Sequence, residues 1–250
     1  MITSPTNPQI KAAAALRQRR ERNRTGLFLI EGVVEIERAL RASVTIESLY
    51  VETGRLPPPA WPGPYVTLGP MAFARIALGR DGVIAVARQP SFDLGSFHPP
   101  RPELLLVVEA MEKPGNLGAM LRTADATAAG VMVADPVTDL TNPNVVRASL
   151  GTIFTVPLAQ ASAEEVMAWL VRQGVELLAT TVSGGIPPWA HDLSSPVAIA
   201  IGSEHQGLSS RVLSHATGRI TLPMSGSADS LNAAATAAVM LFEAVRQRSL

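Results

Sequence analysis

No cysteine occurs in the 250 residues. That absence excludes disulfide frameworks, cysteine-ligated zinc, iron–sulfur clusters and a cysteine nucleophile together. No G-x-G occurs either, so the dinucleotide fingerprint and the glycine loop of the common methyltransferase sheet are missing, as is the phosphate loop G-x-x-x-x-G-K-[ST]. Without G-x-S-x-G, a hydrolase built on a nucleophile elbow is disfavoured. The four histidines, His98, His191, His205 and His215, show no pairing at helical ligand spacing, so no metal site is expected. No apolar run reaches eighteen residues, and "MITSPTNPQI" lacks the charged and apolar regions of a signal peptide. The expectation is a soluble cytoplasmic protein with no membrane partner.

Net charge is zero, but its distribution is not even. Residues 1–90 hold 12 Lys+Arg against 7 Asp+Glu, and residues 91–250 hold 9 against 14. The excess is concentrated in "KAAAALRQRRERNR", with Lys11, Arg17, Arg19, Arg20, Arg22 and Arg24 against the single acid Glu21. Arginine-dense segments neutralise phosphates and fork onto them bidentately. A solvated helix face and a nucleic-acid contact both satisfy the pattern.

With 47% hydrophobic residues the chain can bury one large core or two modest ones. "QPSFDLGSFHPPRP", residues 89–102, is rich in Pro, Gly and Ser and reads as a linker. The expected partition is 1–90, a linker at 91–102, and 103–250. In the first part, helical patterns ("NPQIKAAAALRQRRERN", "VVEIERALRA", "MAFARIAL") alternate with strands ("LFLIEG", "IESLYVE", "GVIAVAR"), giving a small α/β domain. In the second, strands "ELLLVVEA", "VMVAD", "IFTVPLA", "VELLATTV", "PVAIAIGSE" and "GRITLPM" alternate with helices, the last over 230–248. Strands apolar on both faces between helices predict a mostly parallel sheet covered on both sides. Ligands of such sheets bind beyond the carboxyl ends of the strands, so the polar residues just after each strand are the candidates.

Three polar clusters stand there. In "EKPGNLGAMLRTADA" Asn116 is placed before a helix that Gly130 stops, between Gly115 and Gly118, with Arg122 in the helix's first two turns. Asn116 as a helix cap and Arg122 as a solvated residue would account for them without function. In "IAIGSEHQGLSS" Gly202 and Gly207 bracket Glu204, which could also merely favour a following helix N-terminus. In "SADSLNAAAT" Ser230 or Asp229 can cap the last helix, leaving Asn232 inside it at poor propensity.

The strings N-x-G-x-x-x-R-x-A (116–124), G-x-E-x-x-G (202–207) and P-M-x-x-x-x-x-S-L-N (223–232), in this order, resemble the three signature motifs of the SpoU/TrmH, or SPOUT-class, RNA ribose 2′-O-methyltransferases. The resemblance spans about 103–248. It implies an α/β catalytic domain with a mostly parallel sheet and a deep trefoil knot. "NPQIKAAAALRQRRERNRTGLFLIEG" is similar to the start of the family's frequent N-terminal substrate-binding domain, related in fold to L30e/L7Ae. Members with that domain act mainly on large ribosomal RNA, some as resistance determinants against ribosome-directed antibiotics.

The resemblance further implies S-adenosylmethionine as cofactor, with a ribose 2′-hydroxyl as nucleophile. Arg122 matches the family's catalytic arginine. As a permanently protonated group it is expected first to clamp the target ribose or phosphate, and only second to accept the proton with the help of the RNA phosphate. Asn116 would orient Arg122 or substrate, Glu204 would fix the catalytic loops or pair with a cation, and Ser230 and Asn232 would border the methyl-donor end. The cofactor would lie on the loop from Ala179, Thr180 and Thr181 to Gly184, on Ile201 and Gly202, on Ile220, Leu222 and Met224, and on Ser230, Leu231 and Asn232. RNA contacts are expected from the basic run and Arg147, because the catalytic half is net acidic. The last helix presents Leu231, Ala234, Ala235, Ala238, Leu241, Phe242 and Val245 at helical spacing. In the family this helix and the knot region form a homodimer in which the partner contributes to the active site. The expected substrate is 23S ribosomal RNA; transfer RNA, or a non-catalytic ribosome-assembly role on the same fold, are the alternatives.

Overall fold

The computed structural model describes residues 1–79 and 81–249. Contacts divide the chain into two compact units, Met1–Ser91 with Asp139–Thr155, and Phe92–Thr138 with Val156–Leu250.

The first unit holds α1 (Pro8–Ala15), α2 (Arg19–Thr25), β1 (Leu27–Glu31), α3 (Val33–Arg41), β2 (Ile46–Glu52), β3 (Val66–Leu68), α4 (Pro70–Ile76) and β4 (Val83–Arg88). The sheet order is β1-β4-β2-β3; β4 is antiparallel to both neighbours and β2 runs parallel to β3. Ile10, Leu29, Leu68, Phe73 and Ile84 are among the side chains of its core.

The second unit holds β5 (Leu104–Glu109), α5 (Pro114–Ala126), β6 (Gly130–Ala134), β7 (Leu158–Ala161), α7 (Ala163–Gln173), β8 (Glu176–Thr180), β9 (Val197–Ile201), α8 (Ser210–His215), β10 (Gly218–Ile220) and α9 (Ala233–Arg248). α6 (Pro143–Ala148) lies in the stretch that groups with the first unit. The six strands are ordered β10-β8-β9-β5-β6-β7, and every neighbouring pair is parallel. All carboxyl ends therefore meet one edge. The apolar runs behave as expected, since β5, β6 and β9 are buried at every position. α7 opens on a Ser162/Glu165 capping box and closes on Gly174 in the left-handed region, so local signals and packing agree there.

Several expectations are corrected. The basic segment forms two helices: Gln18 is extended between α1 and α2, and the Leu16 and Arg17 carbonyls freed there accept from the Arg22 guanidinium at 2.8 and 2.9 Å. The stretch 91–102 is not a free linker. The Phe92 carbonyl accepts from Gln160 N–H at 2.8 Å, and Phe97 is buried edge-on against Trp169, ring centroids 5.3 Å apart; its Pro, Gly and Ser content concealed these apolar anchors. Asp139–Thr155, placed by sequence in the second part, groups by contact with the first. Thr152–Phe154 is a 3₁₀ turn rather than the start of a strand, and β7 begins only after Pro157. α5 ends at Ala126, and Gly130 opens β6 instead of stopping the helix. A Cβ on Gly130 would stand 2.9 Å from Leu105 and 3.0 Å from Phe97, which explains a glycine at that point.

Candidate functional site

The carboxyl ends of β8, β9 and β10, with the start of α9, surround a cavity of about 380 Å³. One wall is Thr180 and Thr181, another runs from Ile201 to Gly207, a third is Ile220, Leu222 and Met224, and Ser230 and Leu231 close it. Of the residues named for a cofactor, Ala179, Gly184 and Asn232 do not line it. Ala179 is buried in β8, paired to β9 and β10. Asn232 has another task, described below.

The walls are held by hydrogen bonds between loops. Thr180 Oγ1 donates to the Ala200 carbonyl at 2.8 Å. Thr181 N–H donates to Ile220, Ile186 N–H to Arg219, and Thr221 N–H back to Ile186, at 2.9, 3.0 and 3.0 Å. The loop after β9 turns back on itself, with Gly207 N–H on the Ser203 carbonyl at 3.0 Å. A Cβ on Gly202 would lie 2.1 Å from the Gly207 carbonyl carbon, so the turn closes only with glycine there. Buried Glu109, at the end of β5, accepts from Ser209 N–H at 2.7 Å and Ser209 Oγ at 2.6 Å, fixing the far end of that loop.

One side-chain chain joins the three polar clusters. Asn232 Nδ2 donates to Asn116 Oδ1 at 3.2 Å, and Asn116 Nδ2 donates to Glu204 Oε1. Lys113 Nζ stands 3.6 Å from the same oxygen. Glu204 Oε2 is buried and has no hydrogen-bond partner among the described residues. Two sequence expectations change here. Asn116 lies inside the first turn of α5 rather than before it, which frees its side chain for Glu204. Asn232, not Ser230 or Asp229, is the cap of α9: its backbone is non-helical and its Oδ1 accepts from Ala234 N–H at 2.9 Å. The poor helix propensity of asparagine is thereby irrelevant, and one amide both starts the helix and ties it to α5.

Arg122 is exposed on α5, outside this chain and outside the cavity lining, with no partner among the described residues. Lys113 and Glu109 were missed by sequence reading. Both stand beside the β5 carboxyl end, where a charged residue after an apolar run was the available signal.

In the first unit Lys11, Arg17, Arg19, Arg20, Arg24 and Arg147 are exposed. Arg17 donates to the Ala77 carbonyl and Arg147 to that of Leu78. The Arg24 guanidinium, hydrogen-bonded to Glu21 at 2.8 Å, holds that carboxyl below its ordinary value. Arg22 is the exception. It is 1% exposed and bound to Asp139, so it is structural and presents nothing to RNA. No group of three or more His, Asp or Glu among the described residues could hold a metal ion.

Fold and site together define an α/β protein with a cavity of small-molecule size at the carboxyl edge of a parallel sheet. The sequence model of the SpoU rRNA Methylase family matches residues 103–242, and that of the MRM3-like substrate binding domain matches residues 7–66. The chain belongs to the SpoU rRNA methylase family. It is 28% identical to the 23S rRNA (guanosine(2553)-2′-O)-methyltransferase RlmP of Bacillus subtilis, over 96% of this chain and 97% of that protein. It superposes on the SpoU methyltransferase AviRb of Streptomyces viridochromogenes, solved with AdoMet, with TM-score 0.89 and 30% identity, covering 97% of this chain and 98% of that one. A crystal structure of an RNA 2′-O ribose methyltransferase gives TM-score 0.89 at 41% identity, covering 100% and 99%.

Proposed function

We propose that the protein methylates a ribose 2′-hydroxyl of RNA, with 23S ribosomal RNA as substrate, using S-adenosylmethionine. The observation that carries this is the Asn232–Asn116–Glu204 chain at the wall of the cavity, because it brings the three motifs to one place. The cavity suits the cofactor. Its volume falls within the ~300–1,000 Å³ of small-molecule sites. Ile201, Ile220, Leu222 and Met224 offer apolar contact to an adenine, and the Glu204 carboxylate, whose Oε2 has no hydrogen-bond partner among the described residues, offers negative charge to a cation. When bound, S-adenosylmethionine supplies a methyl group made electrophilic by its sulfonium.

The chain's own residues supply position. Asn116 and Lys113 hold Glu204 at the wall, and Asn232 fixes the start of α9. Arg122 clamps the ribose or its phosphate and stabilises the 2′-oxygen as its proton passes to solvent. Orientation of this kind accounts for several kcal/mol of barrier. The RNA is gripped chiefly by Lys11, Arg17, Arg19, Arg20 and Arg24 of a substrate-binding first unit, in the cytoplasm where ribosomal RNA is found. Incubation with labelled S-adenosylmethionine and deproteinised 23S ribosomal RNA or bulk transfer RNA tests the proposal. Label is expected in 23S RNA at a ribose. Label in transfer RNA alone reassigns the substrate, and label in neither rejects the activity.

We also infer a knotted carboxyl region and a homodimer. The lacing of the 181–186 segment onto β10 supports the knot. For the dimer, α9 leaves Val239 and Phe242 exposed, Phe242 by 52%, and Leu231 before it and Trp189 beside its end are also bare. Gln247 Nε2 donates to the His191 carbonyl at 3.0 Å, joining α9 to the 188–191 segment that carries Trp189. A second copy would cover these apolar side chains. Sedimentation at micromolar concentration is expected to give a dimer and Phe242→Arg a monomer; a wild-type monomer would sink the idea.

A further inference from the structure

The segment 53–65 joins β2 to β3, which are parallel, and so must return along the sheet. Such crossovers are ordinarily made by a helix. Here five prolines in thirteen residues, Pro57, Pro58, Pro59, Pro62 and Pro64, take that place, and each removes freedom from the chain. Buried Pro58 anchors the segment. Trp61 is held twice: its backbone N–H donates to the Pro58 carbonyl at 2.9 Å and its indole Nε1 to that of Pro64 at 3.2 Å. Its ring lies on Gly63, where an added Cβ would stand 2.8 Å from Cζ2. Half-buried Trp61 is followed by Tyr65, which is 45% exposed, and exposed Arg55 belongs to the same segment. The chain has few aromatic residues, 4%, so a tryptophan held in place and an exposed tyrosine in one surface loop call for an occupant. Charge indicates which: the stretches forming this unit carry 13 Lys+Arg against 8 Asp+Glu.

We propose that this loop is a stacking platform for unpaired bases of the RNA substrate, with Trp61 and Tyr65 taking base faces and Arg55 a neighbouring phosphate. The inference rests on the RNA reading above and adds how the first unit chooses its RNA. Bases in an A-form duplex are stacked on one another, whereas loops and bulges can splay a base onto an aromatic ring. The basic residues of α1 and α2 supply affinity for any polyanion. The rings select single-stranded regions.

Affinity of the full-length protein for a short single-stranded oligoadenylate and for an RNA duplex of equal length, measured over a range of salt, tests this. Trp61→Ala and Tyr65→Ala are each expected to weaken oligoadenylate binding about tenfold and to leave duplex binding unchanged. They should not alter the slope of log Kd against log salt, because no cation is removed. Lys11→Gln with Arg20→Gln should lower that slope for both RNAs. Trp61→Phe, which keeps a ring and the fold, should retain most of the affinity. Equal losses for duplex and single strand, or wild-type oligoadenylate binding by the Trp61→Ala/Tyr65→Ala protein, overturn the proposal, the latter even while methyl transfer by the wild type upholds the RNA reading. Wild-type protein that neither binds nor methylates RNA removes both. Loss of affinity in Trp61→Phe equal to that in Trp61→Ala also overturns it, since the presence of a ring would then make no difference to binding.

Discussion

Arg122→Ala is expected to lower methyl transfer by about 10²–10³-fold, the cost of removing one preorganised charge-stabilising donor, and to leave S-adenosylmethionine affinity unchanged. The second half of that expectation follows from place. Arg122 is exposed on α5 and is not among the residues around the cavity, so its loss neither opens nor fills the cofactor's site. The first half follows from chemistry, since a guanidinium that meets no partner among the described residues of its own chain is available to an anionic substrate. Arg122 is absent from the lining of its own chain's cavity, and which copy it serves is open to test. In a two-fold dimer built on α9, Arg122 of one protomer would complete the cavity of the other. Remixing Arg122→Ala chains with chains whose cavity is filled by Met224→Trp would then restore about a quarter of wild-type activity, because half of the dimers are mixed and each has one complete site. An inactive mixture assigns Arg122 to its own chain's cavity. A fully active Arg122→Ala protein rejects its role altogether.

The sheet was legible because burial on both faces leaves no polar residue in β9 and only the terminal Glu109 in β5, and a run of that kind has few other homes. The cavity followed from the same fact: polar residues placed directly after such strands must lie at the carboxyl edge, and Glu204 does. What escaped was decided by single backbone dihedrals or by distant partners. Whether Asn232 caps α9 or lies within it depends on one residue's ψ, 140°, and "SADSLNAAAT" offers three competing caps. Lys113 gained its meaning only when the fold brought Glu204 beside it. Arg22 is indistinguishable in sequence from the arginines around it, and its partner lies 117 residues away. Proximity in a basic run spoke for RNA; burial overrules it.

Arg22→Ala is therefore expected to destabilise the protein by about 3–5 kcal/mol, as breaking a buried ion pair does, rather than to weaken RNA contacts directly. Arg22 Nε donates to Asp139 Oδ2 at 2.9 Å, and Nη1 satisfies the Leu16 and Arg17 carbonyls at the break between α1 and α2. Without it, Asp139, whose side chain is 14% exposed, keeps its desolvation and loses its counter-charge, and two carbonyls lose their donor. Acid should reveal the pair. Burial alone would push the Asp139 carboxyl up, but hydrogen bonds from Arg22 and Thr141 together with the charge of Arg22 outweigh it and hold the group below its ordinary value. A carboxyl depressed in the folded state contributes stability that is complete above the unfolded value, about 4, and is lost as pH falls through the folded one. Denaturant unfolding of wild type and Arg22→Ala at neutral pH should show the full difference, and at pH below about 4 a narrowing one. Arg22→Lys, with its charge but without the fork, should fall between them. An Arg22→Ala protein with wild-type stability at neutral pH would mean that α1 and α2 are held without this pair and would return Arg22 to the candidates for RNA contact.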